Sequence, residues 1–194
     1  LPALIGTIMV MDAATGAPIG ILDGSHITGI RTGAAGAIGA KALARENSET
    51  LMVVGAGHVA TFQVAATLML FPGLKKVYVY DGLSMENAEK FAASMPDTLK
   101  NSFDYDACGV TFEAVADLPK ATGESDIIIT VTPSHTPIIQ KEWVKPGTHF
   151  SCIGSDMSGK EEIDPEIFAD ARVFTDDTPQ CINVGEIEIP IQKG

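Results

Sequence analysis

Residues 51–60 read Leu-Met-Val-Val-Gly-Ala-Gly-His-Val-Ala, and this stretch decides the fold. Its four apolar residues predict a buried strand that leads directly into a Gly-x-Gly turn at Gly55 and Gly57, after which residues 61–70 favour a helix. This order is typical of a site for the pyrophosphate of a dinucleotide, because glycines let the backbone come close and the helix start offers free N–H groups. Ala60 takes the place of the third glycine of the usual pattern. The alternative is a tight turn at which a helix packs closely on a strand.

Strands and helices alternate through the chain after residue 50. The predicted strands are 51–54, 76–80, 110–113, 126–131, 149–153 and 172–175. The predicted helices are 59–70, 85–95, 114–118 and one that begins at Asp164-Pro165-Glu166. Strands that are almost continuously apolar and alternate with helices predict an α/β fold, with a Rossmann-type, doubly wound parallel sheet covered on both faces.

The first 50 residues follow a different pattern. Residues 6–11 and 18–22 flank an Asp/Thr/Gly turn and predict an antiparallel hairpin, which by itself has too few strands to be stable. We therefore expect an incomplete antiparallel β segment at the N-terminus, belonging to a first domain whose other strands come from elsewhere. Residues 25–45 favour a helix in which glycines recur every three residues, a spacing that suits close approach to another helix or to a ligand. These glycines are Gly33, Gly36 and Gly39.

Composition and charge argue against several classes of function. The chain of 194 residues carries a net charge of −12 at pH 7, which repels phosphates, so we expect no nucleic-acid partner. No apolar run reaches the roughly 20 residues that a membrane-spanning helix needs, so we expect no membrane partner. Three cysteines, far apart and odd in number, indicate reduced thiols in a cytoplasmic protein. The four histidines form no metal-ligand pattern, and we expect no metal site.

Two side chains follow strands at positions where a bound dinucleotide is expected. Asp81 ends the second strand of the sheet, 24 residues after Gly57, and an acid at this distance can accept hydrogen bonds from the adenosine ribose hydroxyls. Its carboxylate would repel a 2′-phosphate and residues 82–87 hold no Arg or Lys, so the pattern favours NAD over NADP. Thr132, after the strand 126–131, is placed to contact the cofactor. The alternative for each is an ordinary turn residue.

Two further features could bind or transform a substrate. The loop Gly154–Lys160 follows the strand 149–153, and its Asp156 and Lys160 could transfer protons or contact a phosphate or ribose. A polar surface loop is the alternative. Arg31, in the glycine-rich helix, is a typical partner for a carboxylate because its planar fork matches both oxygens. A solvated or structural arginine is the alternative, and each feature taken alone favours the plainer interpretation.

Together, these stretches resemble the ornithine cyclodeaminase/mu-crystallin family. The matching stretches cover nearly the whole chain in the family's order, which makes the resemblance far more specific than the glycine turn. They are residues 30–35, 54–57 with 62–63, 80–81, 130–134, 142–149, 154–156 with 159–160, and 185–186. The Arg-Thr-Gly-Ala-Ala-Gly run from Arg31 and the Glu-Trp-Val run from Glu142 are most similar to the alanine dehydrogenase branch.

The resemblance implies a role for individual residues. Asp156 would be the catalytic acid/base, and Arg31 would hold the substrate carboxylate beside the cofactor, which the family implies is NAD. The implied cofactor-binding residues are Arg31, Gly55, Gly57, His58, Val59, Asp81, Thr132, Ile153, Gly154, Ser155, Asp156 and Lys160. The implied reaction moves a hydride from Cα of a small L-amino acid to NAD, giving an imine that is hydrolysed. The alternatives are an ornithine cyclodeaminase, which forms proline and ammonia, and a non-catalytic, crystallin-like nucleotide-binding protein.

The resemblance also implies a homodimer and a division into domains. The expected segments are a partial substrate and dimerisation domain (1–24), a connecting helix (25–45), an NAD-binding Rossmann domain (46–180) and the start of a return to the first domain (181–194). One departure is His58-Val59, where many members have Gln-Ala. Another is that the family's upstream carboxylate-binding arginine and its lysine lie before Leu1. Because the chain also starts without methionine, we expect a processed chain or a fragment.

Overall fold

The centre of the fold is a parallel five-stranded sheet, in a computed structural model that describes residues 5–194. The strands are β1 (Thr7–Met11), β2 (Pro18–Asp23), β3 (Thr50–Val54), β4 (Lys76–Tyr80), β5 (Thr111–Ala114), β6 (Ile127–Thr130), β7 (His135–Ile139), β8 (His149–Cys152) and β9 (Glu161–Ile163). The α-helices are α1 (Gly24–Leu43), α2 (His58–Leu70), α3 (Met85–Phe103), α4 (Leu118–Glu124), α5 (Thr178–Cys181) and α6 (Glu188–Lys193). Two short 3₁₀ helices are Lys141–Trp143 and Pro165–Asp170. Residues 1–4 of the predicted first segment lie outside the described residues.

The strand order of the central sheet is β5–β4–β3–β6–β8, and all neighbouring pairs are parallel. The chain moves from β3 outward to β4 and β5, then crosses back and continues with β6 and β8 on the other side of β3. This is the strand order of a Rossmann-type doubly wound sheet, so the predicted fold class is confirmed. The order reverses between β3 and β6, and in such sheets a ligand binds beyond the carboxyl ends of the strands at this point.

Strand β3 is apolar along its length because both faces of the sheet are covered. Leu51 and Val53 pack in a core with α2 and α3 on one face, whereas Met52 and Val54 pack with α4 and the 3₁₀ helix Pro165–Asp170 on the other. All four side chains are fully buried. Burial of a side chain of this size stabilises the fold by about 1.5–3 kcal/mol, so β3 anchors both halves of the core.

Helix α1 packs against α2 through glycine. A Cβ on Gly29 would lie 2.5 Å from Cδ2 of the Phe62 ring and closer still to Cε2, and a Cβ on Gly33 would lie 2.6 Å from the carbonyl oxygen of the same residue. Gly36 faces the side chain of Gln63, which donates a hydrogen bond to Thr32 at 2.8 Å. The close approach predicted for this helix is therefore present, but its first contact is Gly29.

The third predicted glycine, Gly39, makes no such contact. A Cβ added to Gly39 would meet no heavy atom within 4 Å among the described residues. Gly39 is half-buried, and its side of the helix turns away from α2. No other helix comes close to Gly39 among the described residues, and approach of a ligand to it stays a prediction.

The antiparallel pair predicted at the N-terminus is present as β1 and β2, which form a two-stranded sheet of their own. Several of its large apolar side chains are exposed, including Met9 at 57%, Ile19 at 67% and Ile21 at 69%. Contiguous apolar surface of this kind is typical of a contact with further protein. No helix in the described part of the chain combines the length and the apolar character that crossing a bilayer requires.

Three predicted elements differ from the structure. Helix α3 continues through Pro96 to Phe103 instead of ending near residue 95, because Met95 and Leu99 extend its buried stripe and offset the cost of the internal proline. The helix expected at 114–118 lies later, as α4. Residues 172–175 pair with no other strand in the described structure, and Val173 and Phe174 are exposed there.

Candidate functional site

In the glycine turn between β3 and α2, the first glycine is packed tightly against neighbouring backbone, and the second has free space beside it. Gly55 has φ of 108°, donates to the carbonyl of Tyr80 at 2.8 Å, and would carry a Cβ only 2.7 Å from the carbonyl oxygen of Val131. Gly57 caps α2 without a side-chain hydrogen bond, and a Cβ there would meet nothing within 4 Å in the described chain. The space beside Gly57 at the start of α2 is therefore open, as a bound pyrophosphate requires.

His58 and Val59 form the first turn of α2, at the predicted pyrophosphate position. The His58 ring is exposed and lies edge-on to Phe62, with ring centroids 5.0 Å apart. His26 of α1 contacts the same Phe62 ring at 5.3 Å. The departure from the family pattern at His58 thus places an imidazole at the start of α2 and fixes it against the α1–α2 contact.

Asp81 holds the glycine turn and the next turn together. One carboxylate oxygen accepts hydrogen bonds from the N–H groups of Leu83 and Ser84 at 2.9 and 3.1 Å. The other accepts from the N–H of Ala56 at 3.3 Å. The turn role and the predicted ribose role of Asp81 are compatible, because its half-buried carboxylate stands beside the open start of α2.

Thr132 lies beside the glycine turn, with its methyl group 3.2 Å from where a Cβ on Gly55 would be. Its hydroxyl and its backbone N–H both donate to one oxygen of Glu162, at 2.7 and 2.6 Å. The same hydroxyl accepts from the N–H of Ser134 at 3.3 Å. The hydroxyl of Thr132 is therefore committed within the protein, and its methyl group is the part that faces the turn.

The loop after β8 begins with residues that are tightly held. Ile153 donates its N–H to Thr130 at 2.8 Å and packs at the edge of the core. Gly154 comes so close to Thr132 that a Cβ would lie 2.6 Å from its backbone nitrogen. Ser155 is buried and donates its hydroxyl to Glu186. Ile153 and Gly154 are thus held against residues 130–132, and Ser155 is held by Glu186.

Asp156 and Lys160 form an ion pair farther along the loop. The Lys160 ammonium lies 2.5 Å from a carboxylate oxygen of Asp156 and 3.4 Å from the carbonyl oxygen of Gly154. The two side chains differ in exposure, 72% for Asp156 against 11% for Lys160. A fixed, shielded cation thus orients a carboxylate that remains accessible to a substrate.

Three buried glutamates hold this loop, and the sequence did not assign a role to any of them. Glu162 accepts four hydrogen bonds, Glu186 accepts from the N–H groups of Glu162 and Ile163 at 2.7 Å, and Glu188 accepts from Ser158 and Gly159 at 2.6 and 3.0 Å. Burial raises the pKa of Glu162 and Glu186, against the opposing effect of these hydrogen bonds. The one local signal is near residue 187, where Glu186 and Glu188 alternate with isoleucines, and nothing comparable surrounds Glu162.

Arg31 stands on α1 between Gly29 and Gly33, the two positions that pack on Phe62. Because it is two residues from each of them, its side chain lies on the opposite side of α1 from Phe62. Its side chain is exposed and makes no ion pair within residues 5–194. The guanidinium is therefore available to bind an anion, although the structure gives it no direct contact with Asp156.

Comparison with known proteins identifies the family. A sequence profile of the ornithine cyclodeaminase/mu-crystallin family matches residues 1–193. The chain belongs to this family. Over 194 residues it is 34% identical to the alanine dehydrogenase of Archaeoglobus fulgidus, covering 100% of this chain and 56% of that protein. The resemblance recognised in the sequence is thus confirmed.

Two solved structures of the family superimpose on the whole chain. One is an archaeal alanine dehydrogenase dimer with bound NAD, with 34% identity, a TM-score of 0.86 and 56% of that chain covered. The other is the Thermococcus litoralis Δ1-pyrroline-2-carboxylate reductase in complex with NADH and L-proline, with 32% identity, a TM-score of 0.89 and 57% covered. The chain spans about half the length of these ornithine cyclodeaminase/mu-crystallin relatives.

Proposed function

We propose that the protein binds NAD at the carboxyl edge of the central sheet and oxidises a small L-amino acid at Cα. The observation that carries this proposal is the open start of α2 at Gly57. Asp81 lies beside it, and the Asp156–Lys160 pair lies beyond β8 at the same edge. Bound NAD or NADH in two structures of the family supports the choice of cofactor. The carboxylate of Asp81 favours NAD over NADP.

Each of the proposed site residues has its own role in the reaction. Bound NAD supplies the acceptor for the hydride that leaves Cα. Arg31 binds the substrate carboxylate, since its exposed guanidinium is unpaired within residues 5–194 and matches two oxygens. Asp156 takes a proton from the amine, releases it to solvent from its exposed side chain, and then activates the water that hydrolyses the imine, while Lys160 orients it. Amino acid, NAD and water thus give a 2-oxo acid, ammonia, NADH and a proton.

A second candidate is the reverse chemistry on a cyclic substrate, the reduction of a ring C=N bond by NADH. The similarity to the Thermococcus litoralis reductase, whose structure contains NADH and L-proline, favours it. The same residues would serve, with Arg31 on the carboxylate and Asp156 supplying a proton to the imine nitrogen. The two candidates differ in the direction of hydride transfer and in whether water enters the product.

The test is a binding measurement followed by assays in both directions with the purified protein. Calorimetry should give NAD binding at least about tenfold tighter than NADP binding. NADH formed from NAD with L-alanine supports the dehydrogenase, and NADH consumed with Δ1-pyrroline-2-carboxylate supports the reductase. Ornithine converted to proline without net NADH would instead assign a cyclodeaminase. Tight NAD binding without any turnover would leave a non-catalytic nucleotide-binding protein, and no NAD binding would refute the proposal.

We also propose that the protein works as a homodimer. The archaeal alanine dehydrogenase structure is a dimer, and the hairpin of β1 and β2 exposes Ile19 and Ile21, which are costly to leave in water. Light scattering of the purified protein should give twice the chain mass. Replacing both isoleucines by Lys should reduce it to the mass of one chain, whereas a monomer in the unmodified protein would contradict the proposal.

A further inference from the structure

Glu162 joins the two loops at the carboxyl edge of the sheet. It lies on β9, is fully buried, and each of its carboxylate oxygens accepts two hydrogen bonds. One oxygen binds the N–H and the hydroxyl of Thr132, and the other binds the hydroxyl of Thr130 at 2.8 Å and the N–H of Gly154 at 2.9 Å. A single side chain thus bridges the end of β6 and the start of the loop that carries Asp156.

The hydrogen bonds of this bridge require an oxygen atom at both ends of the side-chain group. Both oxygens face a backbone N–H, one on Thr132 and one on Gly154, so each must be an acceptor. No cation is paired with Glu162 in the described part of the chain. A buried carboxylate without a counter-ion is destabilising for a fold unless several donors satisfy it. The arrangement therefore gives a fixed geometry more than it gives stability.

A second acid fixes Glu162 itself. Glu186 accepts hydrogen bonds from the N–H groups of Glu162 and Ile163, both at 2.7 Å, and its other oxygen accepts from the hydroxyl of Ser155. Ser155 is the residue between Gly154 and Asp156. The backbone that leads to Asp156 is consequently held on one side by Glu162 and on the other by Glu186.

We propose that Glu162 is a positioning residue for the reaction, setting the separation of the loops that begin at Thr132 and Gly154. It thereby sets where Asp156 stands relative to the bound reactants. The inference rests on the proposed oxidoreductase function. Glu162 has no contact with the exposed carboxylate of Asp156 and acts through Gly154. Because the hydroxyl of Thr132 donates to Glu162, Thr132 acts through its position beside the glycine turn and has no free hydroxyl to offer.

Glu162→Gln tests the inference, because the amide must point an NH₂ group at one of the two backbone N–H groups. The matched control is Glu161→Gln on the same strand: Glu161 is also buried, one of its oxygens has no hydrogen-bond partner among the described residues, and its ion pair with Lys193 is 3.6 Å long. Glu162→Gln should lower kcat about 100-fold, the effect of roughly 1 Å of misplacement. The KM for the amino acid should change less than about threefold.

Amide hydrogen exchange measured by NMR provides the second readout. The N–H groups of Thr132 and Gly154 should exchange at least about tenfold faster in Glu162→Gln than in the unmodified protein. In Glu161→Gln their exchange rates should be unchanged. Equal kcat and equal exchange in the two variants would overturn the inference. If Glu162→Gln does not fold, Thr130→Val removes one of the four hydrogen bonds and should lower kcat about tenfold. Unchanged kcat in Thr130→Val would then overturn it.

Failure of the proposed function has a different signature. The unmodified protein would then form no NADH with any amino acid and consume none with an imine. The exchange rates of Thr132 and Gly154 would still decide whether Glu162 holds the two loops, because they require no turnover. Faster exchange in Glu162→Gln alone supports the bridge, and protected amides in that variant refute it.

Discussion

The contact between α1 and α2 and the carboxyl edge of the sheet both depend on glycine, for opposite reasons. At the α1–α2 contact, Gly33 leaves room for the backbone of another helix, and a Cβ there would collide with the carbonyl of Phe62. At the carboxyl edge, Gly57 faces space that nothing in the described chain fills. One glycine therefore permits packing within the fold, and the other leaves a place for something from outside it.

The two regions also differ in what they bury. The α1–α2 contact is formed by glycines and by Phe62, which is itself surrounded by aromatic rings. The carboxyl edge buries Glu162, Glu186 and Glu188, whose carboxylates are satisfied by hydroxyl and backbone donors. Because hydrogen bonds mainly offset the cost of burying a carboxylate, these acids fix geometry more than they add stability, whereas the helix contact adds stability.

The largest expected effect is a loss of activity from a substitution at the carboxyl edge. Asp156→Asn keeps the size of the side chain but removes its ability to take a proton, so kcat should fall by about 100- to 10,000-fold. NAD affinity and Tm should stay unchanged, since the side chain is mostly exposed. Steady-state kinetics, calorimetry and thermal unfolding measure the three quantities.

Asp170→Asn is the control for that change. Asp170 is also an exposed acid paired with a lysine, Lys141, at 2.9 Å, but it lies outside the carboxyl edge. It should retain full activity. If Asp156→Asn keeps its turnover, Asp156 does not transfer the proton. The carboxyl edge would then not be the region on which activity depends.

The next largest effect is a loss of stability from a substitution in the α1–α2 contact. Gly33→Ala inserts a methyl group against the backbone of Phe62 and should lower the free energy of unfolding by about 2–3 kcal/mol. For a chain of this size Tm should fall by roughly 5–10 °C. Gly39→Ala on the same helix meets open space and should leave stability equal or raise it by up to about 1 kcal/mol. Equal Tm values for both variants would mean that α1 does not pack as described.

The sequence predicted the sheet well because its signal is local. Leu51–Val54 is apolar on both faces and leads into Gly55 and Gly57, so strand, turn and helix follow from neighbouring residues. The glycines of α1 were predicted less well. A step of three residues turns a helix roughly 60° short of a full circle, so a uniform spacing of three drifts off the contact face by Gly39, whereas Gly29 stays on it.

The acids of the site lay beyond local reasoning. A glutamate in a sequence is normally expected at the surface, and nothing near Glu162 names its partners at Thr130, Thr132 and Gly154. Those partners are defined by the alignment of β6, β8 and β9 in three dimensions. The positions of Asp81 and Asp156 could be predicted because Asp81 directly follows β4 and Asp156 lies in the loop after β8, whereas their roles stay predictions.

A smaller effect tests the free space beside Gly57 at the carboxyl edge. Gly57→Ala has ordinary backbone angles and free space, so Tm should not change. The added methyl group stands where the pyrophosphate is proposed to approach and should weaken NAD binding by about tenfold or more. Calorimetry with NAD, beside thermal unfolding, makes the measurement. Unchanged affinity would show that NAD does not approach the backbone at Gly57.

The smallest effect concerns His149, at the amino end of β8, where this strand packs near α1. Its ring nitrogen lies 3.0 Å from the hydroxyl of Ser151, and that hydroxyl is 3.5 Å from the carbonyl oxygen of Gly36 on α1. Burial lowers the pKa of His149 to about 4, against about 6.5 in an unfolded chain. Both states are neutral above pH 7. As the pH falls below about 6.5, the unfolded chain takes up a proton that the folded protein refuses until about pH 4, so stability is lost in that interval.

His149→Gln should remove this loss while keeping a polar group beside Ser151. Between pH 7 and pH 5.5 the free energy of unfolding of the unmodified protein should fall by about 1 kcal/mol more than that of the variant. The raised pKa values of Glu162 and Glu186 act in the opposite direction, but they are common to both proteins and cancel in the difference. Urea unfolding at the two pH values measures it, with His26→Gln at an exposed position as the control. Parallel pH profiles for His149→Gln and the unmodified protein would mean that the contact between α1 and β8 opens enough to admit water to the imidazole.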